Sequence, residues 1–188
     1  MFNHDRHFRR FCRVLFLTAF LAGCGNAEPT VAQQQAEPAA DDDARYEAVA
    51  YEKVDVPNLA TRKHGEDWPQ FLGPTRDSKS AEKGILKDWP DEGPEIVWQR
   101  SLGTSYGIGA ISRGRYFQFD RYGDHARLSC LKAETGDLLW KWEYPTDYRD
   151  FYGYNNGPRC SPVVDDDRVY IFGAEGMLHC LRVTDGQL

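Results

Sequence analysis

The residues best suited to bind something are Tyr106, Tyr152, Tyr154, Asn155 and Arg159, a polar-aromatic group lying outside the apolar runs. A planar guanidinium beside tyrosines suits a carboxylate or an aromatic ligand, through paired hydrogen bonds or stacking. The plainer alternative is that Arg159 ties neighbouring sheets together through backbone carbonyls. Cysteine chemistry is sparse. Cys130 and Cys180 read as small apolar core residues, and Cys160, next to Arg159, is the one placed for a lowered thiol pKa. Asp41 to Asp43 reads as a solvated charge run and Asp165 to Asp167 as a hairpin turn, without the spacing of a calcium loop. His64, His125 and His179 show no metal-ligand spacing, and His179, between Leu178 and Cys180, is expected to face outward. No phosphate-binding glycine loop or nucleophile elbow is visible. The sequence therefore assigns no catalytic residue and no metal ligand.

The elements that would position these residues begin after a long leader. Arg6, Arg9, Arg10 and Arg13 precede a nine-residue apolar stretch from Val14 to Ala22. As a helix it would reach about 14 Å, far short of the roughly 30 Å of bilayer hydrocarbon, so it reads as a secretory signal over residues 1–23. Its end, Leu21-Ala22-Gly23-Cys24, resembles the lipobox of bacterial lipoproteins. That resemblance implies cleavage before Cys24, lipidation of Cys24, and export to a membrane surface facing the periplasm or exterior. Residues 24–66, rich in Ala, Glu, Gln and Asp, read as a solvated tether. With 23 basic and 29 acidic side chains the chain carries a net charge of −6. The signal's four arginines and one aspartate gone, this becomes −9, which argues against a nucleic-acid partner.

From Asp67 onward the chain repeats itself. Arg115-Tyr116-Phe117-Gln118-Phe119 matches Arg168-Val169-Tyr170-Ile171-Phe172, 53 residues on. The stretch from Leu128 to Leu138 matches Leu178 to Leu188 at a spacing of 50. Runs rich in Tyr, Phe, Val and Ile, broken by turn signals, predict an all-β fold of antiparallel hairpins. A period near 50 with about four strands each points to propeller blades.

The repeats resemble the PQQ-like β-propeller family, the pyrroloquinoline-quinone repeat. The resemblance rests on Cys130-Leu131 leading to Thr135-Gly136 and then Trp140, on the same pattern up to Gly186, and on Trp98 in Ile96-Val97-Trp98-Gln99. Trp68-Pro69-Gln70-Phe71-Leu72-Gly73-Pro74 resembles the entry segment of extracytoplasmic members, and Asn156-Gly157-Pro158-Arg159 an inter-blade connection. It implies an incomplete propeller of about two four-stranded blades over residues 67–188, with Trp98, Gly136, Trp140 and Gly186 docking one blade on the next. Tyr106, Tyr152, Tyr154, Asn155 and Arg159 would then lie at the channel mouth. Carried past Gly186, the spacing puts the next tryptophan two positions beyond Leu188. The chain is thus expected to be an N-terminal fragment.

With a lipid anchor and tether, the resemblance extends to BamB-like lipoproteins and implies a non-catalytic scaffold that binds other envelope proteins and needs no cofactor. Two alternatives stand beside it: a quinoprotein dehydrogenase using PQQ and calcium, or a propeller binding a glycan or small ligand. The adjacent cysteine pair of the dehydrogenases does not occur in this sequence.

Overall fold

The computed structural model describes residues 51–188. Cys24 and the signal lie outside the described residues. Seven strands form two antiparallel sheets, and no helix occurs among the described residues. The first sheet holds β1 (Ala110–Ser112), β2 (Arg115–Tyr122), β3 (His125–Lys132) and β4 (Leu138–Pro145), side by side in chain order. The second holds β5 (Val163–Asp165), β6 (Arg168–Phe172) and β7 (Leu178–Arg182). It has three strands where the repeat predicts four.

Local chemistry accounts for the meander. Arg113 and Gly114 both take positive φ, 49° and 73°, the backbone that a two-residue hairpin between twisted strands demands. In β2, alternation puts Phe117 and Phe119 on one face, and both are fully buried. They join Leu128 and Cys130 of β3 and Val169, Ile171 and Leu181 of the second sheet in one apolar cluster. The core therefore lies between the sheets. Each large apolar side chain buried there contributes about 1.5–3 kcal/mol.

Two tryptophans repeat a single docking contact. Trp98 donates its indole N–H to the Ala133 carbonyl at 2.9 Å, and Trp140 donates to that of Val183 at 3.0 Å. Each ring lies over the glycine three residues further on. A Cβ at Gly136 would stand 2.8 Å from Trp98, and one at Gly186 would stand 2.5 Å from Trp140. Both glycines have φ of +73°, so the turn and the ring contact each exclude a side chain.

Three expectations need correction. His179 does not face outward: its ring sits 4.7 Å from both Trp142 and Tyr144, between the sheets, and its Nδ1 is buried without a hydrogen-bond partner. Cys130 and Cys180 are equivalent in sequence but not in environment. Cys130 is fully buried, whereas Cys180 is exposed on the far face of the second sheet beside Phe172 and Leu178. Alternation along β7 sends His179 and Leu181 toward the first sheet and Cys180 away from it.

The third difference concerns residues 51–61, read from composition as the end of a solvated tether. They form a strap across both sheets. Val54 N–H donates to Asp167 Oδ2 at 2.8 Å, and Val56 is buried in the shared core. The Pro57 carbonyl accepts from Arg115 Nη1 at 2.8 Å, Leu59 N–H donates to the Arg113 carbonyl at 3.1 Å, and Thr61 Oγ1 donates to Glu134 at 2.9 Å. The Trp68-Pro69 segment then stitches the inner strands. Trp68 exchanges backbone hydrogen bonds with Ile111 of the first sheet, at 2.9 and 2.8 Å, and the Pro69 carbonyl accepts from Val164 of the second at 2.8 Å.

Candidate functional site

The link from Pro145 to Val163 carries four of the five residues singled out from sequence, and Tyr106 packs beside it. Arg121, buried at the end of β2, fastens its beginning and its end. Nη2 donates to the Thr146 carbonyl at 3.1 Å, and Nη1 to those of Tyr148 at 2.6 Å and Asn156 at 3.3 Å. A buried guanidinium persists only where carbonyls or carboxylates meet its donors, and here carbonyls do so.

Between those fixed points Asp150 organises the loop. Its backbone N–H donates to Asn156 Oδ1 at 2.8 Å, and its Oδ2 accepts from the Tyr154 N–H at 2.7 Å. Its Oδ1 takes Arg159 Nη2 at 2.8 Å. Arg159 also donates to the carbonyls of Gly157 and Asn155, at 3.2 and 3.4 Å. Its guanidinium lies 5.3 Å from the Tyr148 ring and 5.7 Å from that of Tyr106. Three of the five guanidinium donors of Arg159 are thus met within its own connection. Asn155 is likewise structural: Oδ1 accepts from Gly157 N–H at 2.7 Å, and Nδ2 reaches the Ser105 carbonyl at 3.4 Å.

What this scaffold displays is aromatic. Phe151, Tyr152 and Tyr154 are 91%, 74% and 80% exposed. Phe151 meets Tyr152 edge-on at 5.1 Å, and Tyr152 stacks on Tyr154 at 6.1 Å with 22° between planes. Tyr106 is also exposed, with its backbone N–H held by the Pro158 carbonyl at 2.9 Å. Beside Tyr154 a cleft of about 280 Å³ opens between Thr104, Arg149 and Asn156. Three solvent-facing rings on a pinned loop form the kind of contiguous apolar patch that marks an interaction surface. In this connection no hydroxyl or thiol is hydrogen-bonded to a carboxylate or imidazole.

Sequence reasoning missed Asp150, Tyr148, Phe151 and Arg121. Phe151 was legible as an aromatic beside Tyr152. Asp150 and Arg121 act on backbone groups and leave no spacing signature. Elsewhere, burial pushes the Cys130 thiol up to about 12, which makes it inert, while Cys160 is exposed on the connection. Asp120, Asp150 and Asp167 each pair with an arginine, and among the described residues no three His, Cys, Asp or Glu converge to hold a metal ion. Among the described residues no helix is long and apolar enough to cross a membrane.

Compared with known proteins, the chain matches no family model, and no curated protein is significantly similar to it.

Proposed function

We propose that this chain is an exported, lipid-anchored module of the PQQ-like β-propeller type that acts without catalysis, holding an envelope protein through the Phe151 to Tyr154 loop. The repeated tryptophan-on-glycine docking supports the propeller reading. Two successive sheets meet the chain by the same contact, with Trp98 over Gly136 and Trp140 over Gly186. The carrying observation for binding is the exposure of three aromatic rings on a loop that Asp150 and Arg121 keep from collapsing onto the protein. Tyrosine and phenylalanine on a rigid loop supply large contact area at little cost in conformational entropy.

The test is recovery of a partner from crosslinked membranes. Wild-type chain should retain a specific envelope protein, and a Phe151→Ser, Tyr152→Ser, Tyr154→Ser variant should lose it while keeping its β-sheet circular dichroism. A variant that retains the same partner undiminished would remove this loop from the interface. Loop-dependent binding of an oligosaccharide with no protein recovered would favour the glycan-binding alternative.

A further inference from the structure

The two sheets differ on one face, independently of the aromatic loop. In the second sheet, the face turned to the first carries Val169, Ile171, His179 and Leu181. The equivalent positions of the first sheet are Tyr116, Gln118, Ser129 and Leu131, and Asp120 and Arg127 flank them. This outer face is polar where its counterpart packs dry. A cleft of about 430 Å³ lies between it and residues Arg100 to Leu102.

The polar groups are pre-set. Asp120 is fully buried and accepts Arg127 through two hydrogen bonds, Nε at 2.9 Å and Nη2 at 2.7 Å. Its Oδ2 also takes the Gly103 N–H at 2.7 Å. The carboxylate is therefore satisfied, and it holds the guanidinium 4.9 Å from the Tyr122 ring with Nη1 unpartnered among the described residues. Two more cations line the cleft. Arg100 donates through Nη1 to the Gly136 carbonyl at 3.0 Å, and Lys141 pairs with Glu143 at 2.9 Å on the exposed surface. Leu102, Leu131 and Leu138 supply an apolar wall. Asp120 offsets Arg127 and Glu143 offsets Lys141, so the charge of Arg100 leaves the cleft net positive on a chain of net charge −6, which favours an anionic guest.

We infer that this cleft binds a small organic carboxylate with an apolar body, the carboxylate set among Arg127, Arg100 and Lys141 and the body against the leucines. An inorganic anion would leave that wall wet. The volume suits a guest of modest size.

Isotope-labelled full chain, titrated with 4-phenylbutyrate and followed by amide resonances, tests this. Saturable shifts are expected at Leu102, Ser129 and Leu138. The neutral 4-phenylbutanamide should bind at least about tenfold more weakly, the scale set by losing a charge-assisted contact, and inorganic phosphate should not saturate. Arg127→Gln would strand buried Asp120, so the variants are Arg100→Ala and Lys141→Ala, exposed side chains whose loss should weaken binding severalfold in an unaltered fold. N-acetyl-Gly-Leu binding more tightly than 4-phenylbutyrate would assign the guest as a peptide C-terminus, and the reverse as a free acid. No saturable shift up to about 10 mM, a range covering even millimolar affinity, would overturn the inference. So would equal binding of acid and amide, or full binding by both variants.

Discussion

Replacing Gly186 by alanine should cost far more than replacing Gly123, although both residues take positive φ, 73° and 63°. A Cβ at Gly123 meets nothing within 4 Å, so only the left-handed backbone is penalised, by about 1 kcal/mol. At Gly186 the Cβ would stand 2.5 Å from Trp140 Cε3. The indole has to move, at an overpacking cost of about 1–3 kcal/mol. Its N–H, now 3.0 Å from the Val183 carbonyl, then loses a bond worth about 1 kcal/mol. Gly186→Ala should thus exceed Gly123→Ala by about 2–4 kcal/mol. At a urea slope of about 2 kcal/mol per molar, that is a midpoint lower by about 1–2 M, read by tryptophan fluorescence. In a Trp140→Ala background the two glycine substitutions should cost the same, which makes the contact a double-mutant cycle. Equal midpoints for the two single variants, or the same gap with and without the ring, would refute docking as the reason for the glycine.

The other tests address pH, thiols and the strap. Burial holds the His179 pKa below its ordinary 6.5, and Glu175 only partly opposes this. The fold prefers the neutral ring, so stability should be full above about pH 7, fall as pH drops through the unfolded value, and level off below the folded one. His179→Leu should flatten the urea midpoint over that range, and an unchanged slope would remove His179 as its source. Peptide-resolved alkylation of the native chain should modify Cys160 and Cys180 while sparing Cys130, whose thiol burial raises to about 12; early labelling of Cys130 would contradict its place between the sheets. Val56→Ala should lower stability by about 1–2 kcal/mol, as loss of buried methyl groups does, and should speed proteolysis within the strap. A cost near zero would mean that the strap does not share the core.

The strands were legible because each apolar run is short, alternates, and stops at a turn residue. Arg113-Gly114 and Gly136 punctuate the first copy, and Asp166-Asp167 and Gly186 the second. The strap was illegible for a related reason. Tyr51 to Thr61 holds on through backbone groups, buried Val56 and the side chains of Tyr51, Lys53 and Thr61, and backbone amides and scattered polar contacts leave no mark in composition. His179 was misassigned because alternation orders residues onto two faces without saying which face is covered. Trp142 and Tyr144 of a different strand decide that. At the candidate site the aromatic residues were readable by type, but the loop's organiser was not. Asp150 works through the Tyr154 amide and the Arg159 guanidinium, partners separated by no recognisable interval.

The strap also fixes how the molecule would respond to tension. Load applied from the N-terminal side reaches the contacts of Tyr51 and Glu52 with Arg168 and of Lys53 with Asp166 first, then the Val54–Asp167 bond, then Val56 in its apolar seat, then the bonds of Pro57, Leu59 and Thr61 to the neighbouring hairpin. These attachments lie in series and would peel one after another. The three-stranded half would therefore slip free at lower force than the four-stranded half. Force spectroscopy pulling through residue 51 should record two steps in that order, the first at lower force in Asp167→Ala, which removes the Val54 bond.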